Sequence, residues 1–306
     1  MFERAVQKLA STLAEELALR HAVVSQATPE GPPNALGLSQ ISIDYPIWPR
    51  TRFGFGAPAH PQLESLLATG EQEYTALLDS FASYIPQLRR IPRTLDAAGV
   101  GEPGWLNEWL PGLDALAIYS FLASRAPRTY LEVGSGNSTK FARRAIRDHE
   151  LPTSITSIDP APRAEIDAIC DRVLRSPLED TDLSVFTSLT PGDVVFIDNS
   201  HRCFQNSDVT VFFLEVLPKL PSGVLVGIHD IFLPYDYPPE WVQRYYSEQY
   251  LLAAFLLGGH TNFRVALPAF YCSVVKPLKS DLDAFWSSPE FADVPRHGGG
   301  FWLERL

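Results

Sequence analysis

Four side chains in the second half of the sequence could carry acid–base chemistry or hold a cation. Asp198 and His201 close the run Phe196-Ile-Asp-Asn-Ser-His201, and His229 and Asp230 close the run Gly223-Val-Leu-Val-Gly-Ile-His-Asp230. Carboxylates accept protons and bind metals, and imidazole is the side chain whose ordinary pKa lies nearest neutrality. A second group could bind rather than react. In Thr129-Tyr-Leu-Glu-Val-Gly-Ser-Gly-Asn-Ser-Thr-Lys140, Gly134 and Gly136 let backbone approach a ligand with no Cβ in the way, and a helix starting near Ser138 points unpaired N–H groups at it. The dinucleotide fingerprint requires a third glycine where this chain has Thr139, which disfavours NAD and FAD.

These residues need strands to carry them to one edge. The run 129–133 reads as a strand, the glycines as a tight loop and Phe141 to Ile146 as a helix. Ser154-Ile-Thr-Ser-Ile-Asp-Pro160 reads as the second strand, ending in Asp159, whose two oxygens match the vicinal hydroxyls of a ribose. Arg172 to Pro177 gives a third strand; the turn Ser176-Pro177-Leu178 then falls at the adenine edge, with Glu179 and Asp180 placed to receive its amino group. Asp193 to His201 is a fourth strand, apolar in its middle as buried parallel strands are, followed by a helix over 209–217. Pro221 to Asp230 is the fifth. A helix from about 241 to 257 and a strand pair, 262–267 and 301–306, complete the alternation. Ligands in such sheets bind outside the carboxyl ends of the strands, so Asp198, His201, His229 and Asp230 converge there.

Upstream, Val6, Leu9, Leu13 and Leu17 predict an amphipathic helix over 2–19 that docks on the core domain or on a second subunit, which leaves a homo-oligomer open. A proline- and glycine-rich stretch runs from 27 to 61. Helices follow over 63–85 and 113–124. Trp105 and Trp109 either line a substrate pocket or seal a junction. The predicted boundary lies near residue 125, with a helical and irregular cap over 1–125 and an α/β domain over 126–306.

The ordered set Glu132-Val-Gly-Ser-Gly136, Ser157-Ile-Asp159, Phe196 to His201 and Gly223 to Asp230 resembles class I S-adenosylmethionine-dependent methyltransferases of the bacterial small-molecule and sugar O-methyltransferase type. The resemblance implies a doubly wound, mostly parallel, seven-stranded Rossmann-like sheet whose last strand is antiparallel. It implies S-adenosylmethionine as cofactor, bound by Glu132, Gly134, Ser135, Gly136, Ser138, Asp159, Pro160, Ser176, Pro177, Leu178 and Asp198. Catalysis then falls to Asp198, His201, His229 and Asp230, with an imidazole as the favoured base. Some relatives bind a divalent metal, magnesium or manganese, after the fourth and fifth strands. The matching positions here are Asp198, His229 and Asp230; the imidazole, where an oxygen ligand is usual, favours a softer ion such as manganese over magnesium, or no metal at all. The competing classes are a Rossmann-like oxidoreductase and a cofactor-binding protein without transferase activity.

Composition bounds the partners. The 306 residues carry a net charge of −11, which argues against a nucleic-acid-tracking surface. Three dispersed cysteines, Cys170, Cys203 and Cys272, suit reduced thiols of a cytoplasmic protein rather than a disulfide framework. No run reads as a signal peptide or a membrane span. The expected partner is a small-molecule or glycan acceptor.

Overall fold

The computed structural model describes residues 45–162, 165–259 and 261–306. The helix expected over 2–19 lies outside them. Arg50–Leu306 forms one compact unit, so the helices described between 61 and 125 belong to the same unit as the sheet. The reason is burial: α3 (Gly112–Arg125) is mostly apolar and is covered on every side from Gly112 to Leu122, as a helix inside a core must be.

Ahead of α3 stand α1 (Pro61–Ala68) and α2 (Glu71–Phe81). The single helix expected over 63–85 breaks at Gly70, where a Cβ would meet the Tyr74 ring at 2.4 Å. After α3 come β1 (Thr129–Val133), α4 (Asn137–Asp148), β2 (Ser154–Ile158), β3 (Arg172–Leu174) and β4 (Val194–Ile197). The chain continues through α5 (Asp208–Val211), extended by a π turn, Phe212–Val216, to β5 (Leu225–Ile228), α6 (Glu248–Leu257), β6 (Phe263–Pro268) and β7 (Phe301–Arg305). The long helix expected over 241–257 is two pieces, a 3-10 segment Pro239–Arg244 and α6, separated by Tyr245 at φ 54°. In α4, Phe141, Ala142, Ala145 and Ile146 form the buried stripe, while Arg147 is exposed and Arg144 is largely covered in ion pairs with Glu102 and Asp148. Truncating Phe141, which has no exposed surface, costs about 3–5 kcal/mol.

The strands form one seven-stranded sheet in the order β3-β2-β1-β4-β5-β7-β6, with β7 antiparallel to both neighbours. Register is what matters for function. Val133 is level with Ile158 on one side and Ile197 on the other, and Ile197 is level with Ile228. The next residue along each strand is Gly134, Asp159, Asp198 and His229. Four chemistry-bearing positions thus leave the sheet in one row, across the point between β1 and β4 where the strand order reverses.

Candidate active site

The loop after β1 is pinned from beneath. Glu132 is fully buried, accepts from the Tyr130 hydroxyl at 2.9 Å and from Thr139, and bonds the Ser138 hydroxyl. Thr139 in turn accepts from the Gly136 N–H at 3.0 Å. Glu132 was expected to touch the cofactor; instead its carboxylate is sealed under the loop and holds it. The departure from the dinucleotide fingerprint has the same explanation, because Thr139 is the other half of this brace. Burial pushes the Glu132 carboxyl up to about 7. Gly134, at φ 78°, lies so close to β4 that a Cβ would meet the Asp198 carbonyl oxygen at 1.7 Å, whereas a Cβ on Gly136 would meet nothing within 4 Å. One glycine is needed for closure of the loop on the sheet, and the other faces open space.

A cleft of about 700 Å³ runs along the sheet edge from Gly134, Ser135, Asp159, Pro160, Pro177, Leu178 and Glu179 to Asp198, His201, His229 and Asp230, a size usual for small-molecule sites. A second, of about 840 Å³, shares Ser135 and Asp198 with it and adds Gly136 and Ser138. Ser176 lines neither; its hydroxyl bonds the Pro177 carbonyl. Each oxygen of Asp159 accepts one backbone N–H, from Ser135 and from Ala161, both at 2.8 Å, and each keeps a lone pair for a further donor. At the other end Glu179 Oε2 is buried without a hydrogen-bond partner among the described residues. Trp109 lines the cleft, while Trp105 is buried against Phe141, Phe285, Trp286 and Phe291.

The four reactive side chains meet. His201 Nε2 lies 3.2 Å from Asp198 and 3.4 Å from Asp230; His229 Nδ1 lies 3.4 Å from Asp198 and 3.6 Å from Asp230. Two further carboxylates, which sequence reasoning missed, hold the opposite ring nitrogens. Glu248 at the start of α6 bonds His201 Nδ1 at 2.9 Å, and Asp114 in the first turn of α3 bonds His229 Nε2 at 3.1 Å. Both are buried acids in helices, and burial of an acid is not visible in a one-dimensional pattern. Backbone supports the arrangement. His201 and Asp230 sit at φ 58° and 55°, a conformation uncommon outside glycine that clusters at functional positions. The Asn199 side chain and the amides of Ser247 and Glu248 clamp His201 in place.

Burial opposes charge on both imidazoles, but the surrounding carboxylates outweigh it and hold both pKa values well above the usual range. Burial likewise opposes charge on Asp198, which the two histidines nevertheless hold well below the usual carboxylate range. Asp230 goes the other way: burial raises it, and the histidines only partly offset that. The donor set closest to a cation site is Asp198, His201 and Asp230, whose ligand atoms lie within 4.8 Å of one another. It has His201 where the expected set has His229, whose Nδ1 lies slightly farther from the same two carboxylates. His229 Nδ1 still points at both carboxylates without a hydrogen-bond partner among the described residues.

A glycine loop after β1, an acid after β2 and a seven-stranded sheet with one antiparallel strand define a Rossmann-like fold built for a nucleoside-bearing ligand. Residues 131–231 match the model of a family described as a methyltransferase domain. That match runs from β1 to just past β5. No curated protein matches the sequence. Among solved structures, the chain is similar to methyltransferase PaMTH1 of Podospora anserina, in its SAH-bound form, at 13% identity and a TM-score of 0.39, covering 83% of this chain and 100% of that one. It is also similar to the O-methyltransferase TomG of Streptomyces achromogenes in complex with SAM, at 16% identity and a TM-score of 0.36, over 78% and 96% of the two chains. A third is the O-methyltransferase of Bacillus cereus in complex with SAH, at 14% identity and a TM-score of 0.37, over 77% and 99%. Among the described residues no helix is long and apolar enough to cross a membrane.

Proposed function

We propose that the protein transfers the methyl group of S-adenosylmethionine to a hydroxyl oxygen of a small-molecule acceptor. The observation that carries this reading is the placement of the Asp198, His201, His229 and Asp230 cluster in the same cleft as Gly134 and Asp159. The residues present suit the cofactor. Asp159 has lone pairs for the ribose hydroxyls, Pro177 and Leu178 give an apolar edge for adenine, and the orphaned Glu179 Oε2 suits its amino group.

Methyl transfer is an in-line displacement. The acceptor oxygen forms its bond to the methyl carbon as the sulfur–methyl bond breaks, and the hydroxyl proton must leave; the products are a methyl ether and S-adenosylhomocysteine. The protein aligns the three atoms and takes the proton. The imidazoles already hold protons near neutrality, and Asp198 is held low. Asp230, a carboxylate raised by burial and set between two proton-bearing rings, is the better receiver, in place of the histidine base expected from residue type alone.

The same residues suit a divalent ion, because each imidazole is backed by a carboxylate on its far nitrogen, as metal-binding histidines are. Nitrogen donors favour manganese or a softer ion over magnesium. A bound ion would act as a Lewis acid on the acceptor hydroxyl. The test is transfer of labelled methyl from S-adenosylmethionine to a panel of phenols and sugars before and after exhaustive chelation. Loss on chelation and return with manganese assigns the metal, survival assigns the proton to Asp230 alone, and transfer to none of the panel counts against O-methylation of small molecules.

A further inference from the structure

Beyond the reaction centre, the wall of the cleft that faces the acceptor is made of Arg202, Trp241, Arg244 and Tyr246. The Arg244 guanidinium carbon lies over the Trp241 ring, 3.9 Å from its centroid, and 5.6 Å from that of Tyr246. Arg202 covers Tyr246 from 5.0 Å, and its own donors hold the loop, Nε to the Arg244 carbonyl and Nη1 to the Ser200 carbonyl. Arg244 itself makes no ion pair with a carboxylate among the described residues. This holds in a chain of net charge −11, whose acids pair eight other arginines among the described residues.

A guanidinium stacked on an aromatic face keeps its N–H groups in its own plane, directed away from the ring. It is then fixed for two parallel bonds to a planar anion, which an ammonium could not make. The Tyr246 ring neighbours both groups, 4.7 Å from the His201 ring and 5.6 Å from the Arg244 guanidinium. A ligand with its hydroxyl at the Asp198, His201 and Asp230 cluster runs along the Tyr246 and Trp241 rings toward Arg244.

From this wall we infer that the acceptor is a hydroxylated aromatic carboxylate, its ring against Tyr246 and its carboxylate forked on Arg244. The inference rests on the reading of this cleft as a methyl-acceptor site. The acids at the other end of the cleft reject a second anion, so the carboxylate end of the acceptor is oriented away from the reaction centre. Specificity thus comes from opposite charges at the two ends of one cleft.

Calorimetry with three probes of one size tests it: 4-hydroxybenzoate, 4-cresol and 4-(aminomethyl)phenol, each titrated into the protein with and without saturating S-adenosylhomocysteine. The carboxylate binds roughly tenfold or more tightly than the neutral and cationic probes, the worth of a charge-assisted pair. Arg244→Gln removes that preference, and Arg244→Lys restores only part of it. S-adenosylhomocysteine affinity is unchanged in both variants, which reports that each is folded. Equal affinity for the three probes, or a preference that survives Arg244→Gln, overturns the inference. Absence of S-adenosylhomocysteine binding counts against the methyltransferase reading instead, and the titrations without it still decide the acceptor class.

Discussion

His229 Nε2 and Asp114 Oδ2 lie 3.1 Å apart although 115 positions separate them in the chain. The same carboxylate accepts from the Gly299 and Gly300 amides at 2.6 and 2.9 Å. One buried acid in α3 therefore ties together the end of β5, the segment entering β7 and the reaction centre. Asp114→Ala leaves two amides and an imidazole without their partner, and the expected loss is about 3–5 kcal/mol by chemical denaturation, as for breaking a buried pair. A loss below about 1 kcal/mol would show that water replaces the carboxylate and that the tie is not needed.

The glycine loop gives a second prediction. Gly134→Ala forces a Cβ onto the Asp198 carbonyl oxygen at a backbone conformation suited to glycine, so loop and β4 must part and cofactor affinity is lost. Gly136→Ala meets open space, and its cost appears only when ligand is bound. Stability measured without ligand separates the two: Gly134→Ala is destabilised and Gly136→Ala is close to wild type.

The pH dependence of stability follows in part from groups whose folded pKa values are raised, Asp230 and Glu248 among them. Glu132 at about 7, and His201 and His229 well above their usual value, all favour the protonated form in the folded state. Each such contribution is complete below the unfolded pKa and is lost as pH rises through the folded one. Asp198, held low, contributes the opposite slope: its stabilisation is present above the usual carboxylate pKa and is lost as pH falls below it. Stability therefore declines on the acid side below about 4 and again as pH climbs from about 4.5 upward. In Glu132→Gln the slope between 4.5 and 7 flattens while the alkaline decline due to the histidines remains. An unchanged slope in that variant assigns the effect elsewhere.

Much of this arrangement is visible in the sequence, and the remainder is hidden for definite reasons. The carboxyl ends of β1, β2, β4 and β5 are readable because each is a short apolar run ending in glycine, acid or imidazole, and parallel register then brings Gly134, Asp159, Asp198 and His229 level. Glu132 looks like a ligand contact because it precedes the loop, but strand alternation turns it inward to Thr139 and Tyr130. Asp114 and Glu248 are unreadable because each is an ordinary acid in a helical first turn, where acids are favoured whatever else they do. The break at Tyr245, which places Arg244 in the cleft, has no local sign: neither glycine nor proline marks it.

Loss of the proton receiver separates chemistry from binding. Asp230→Asn lowers the rate of methyl transfer by about 10²–10⁴-fold and leaves S-adenosylmethionine affinity within a factor of about two, because Asp230 lies beyond the glycine loop and Asp159. A parallel loss of affinity would move Asp230 into the cofactor half of the cleft. Full activity would remove it from the reaction.

The most direct test is calorimetric titration of the wild-type protein and Asp159→Ala with S-adenosylmethionine, S-adenosylhomocysteine and NAD. Saturable binding of the first two in the micromolar range, weakened by about 1–3 kcal/mol in Asp159→Ala, and none of NAD, is the predicted result. Binding of NAD with no binding of S-adenosylmethionine would contradict the account.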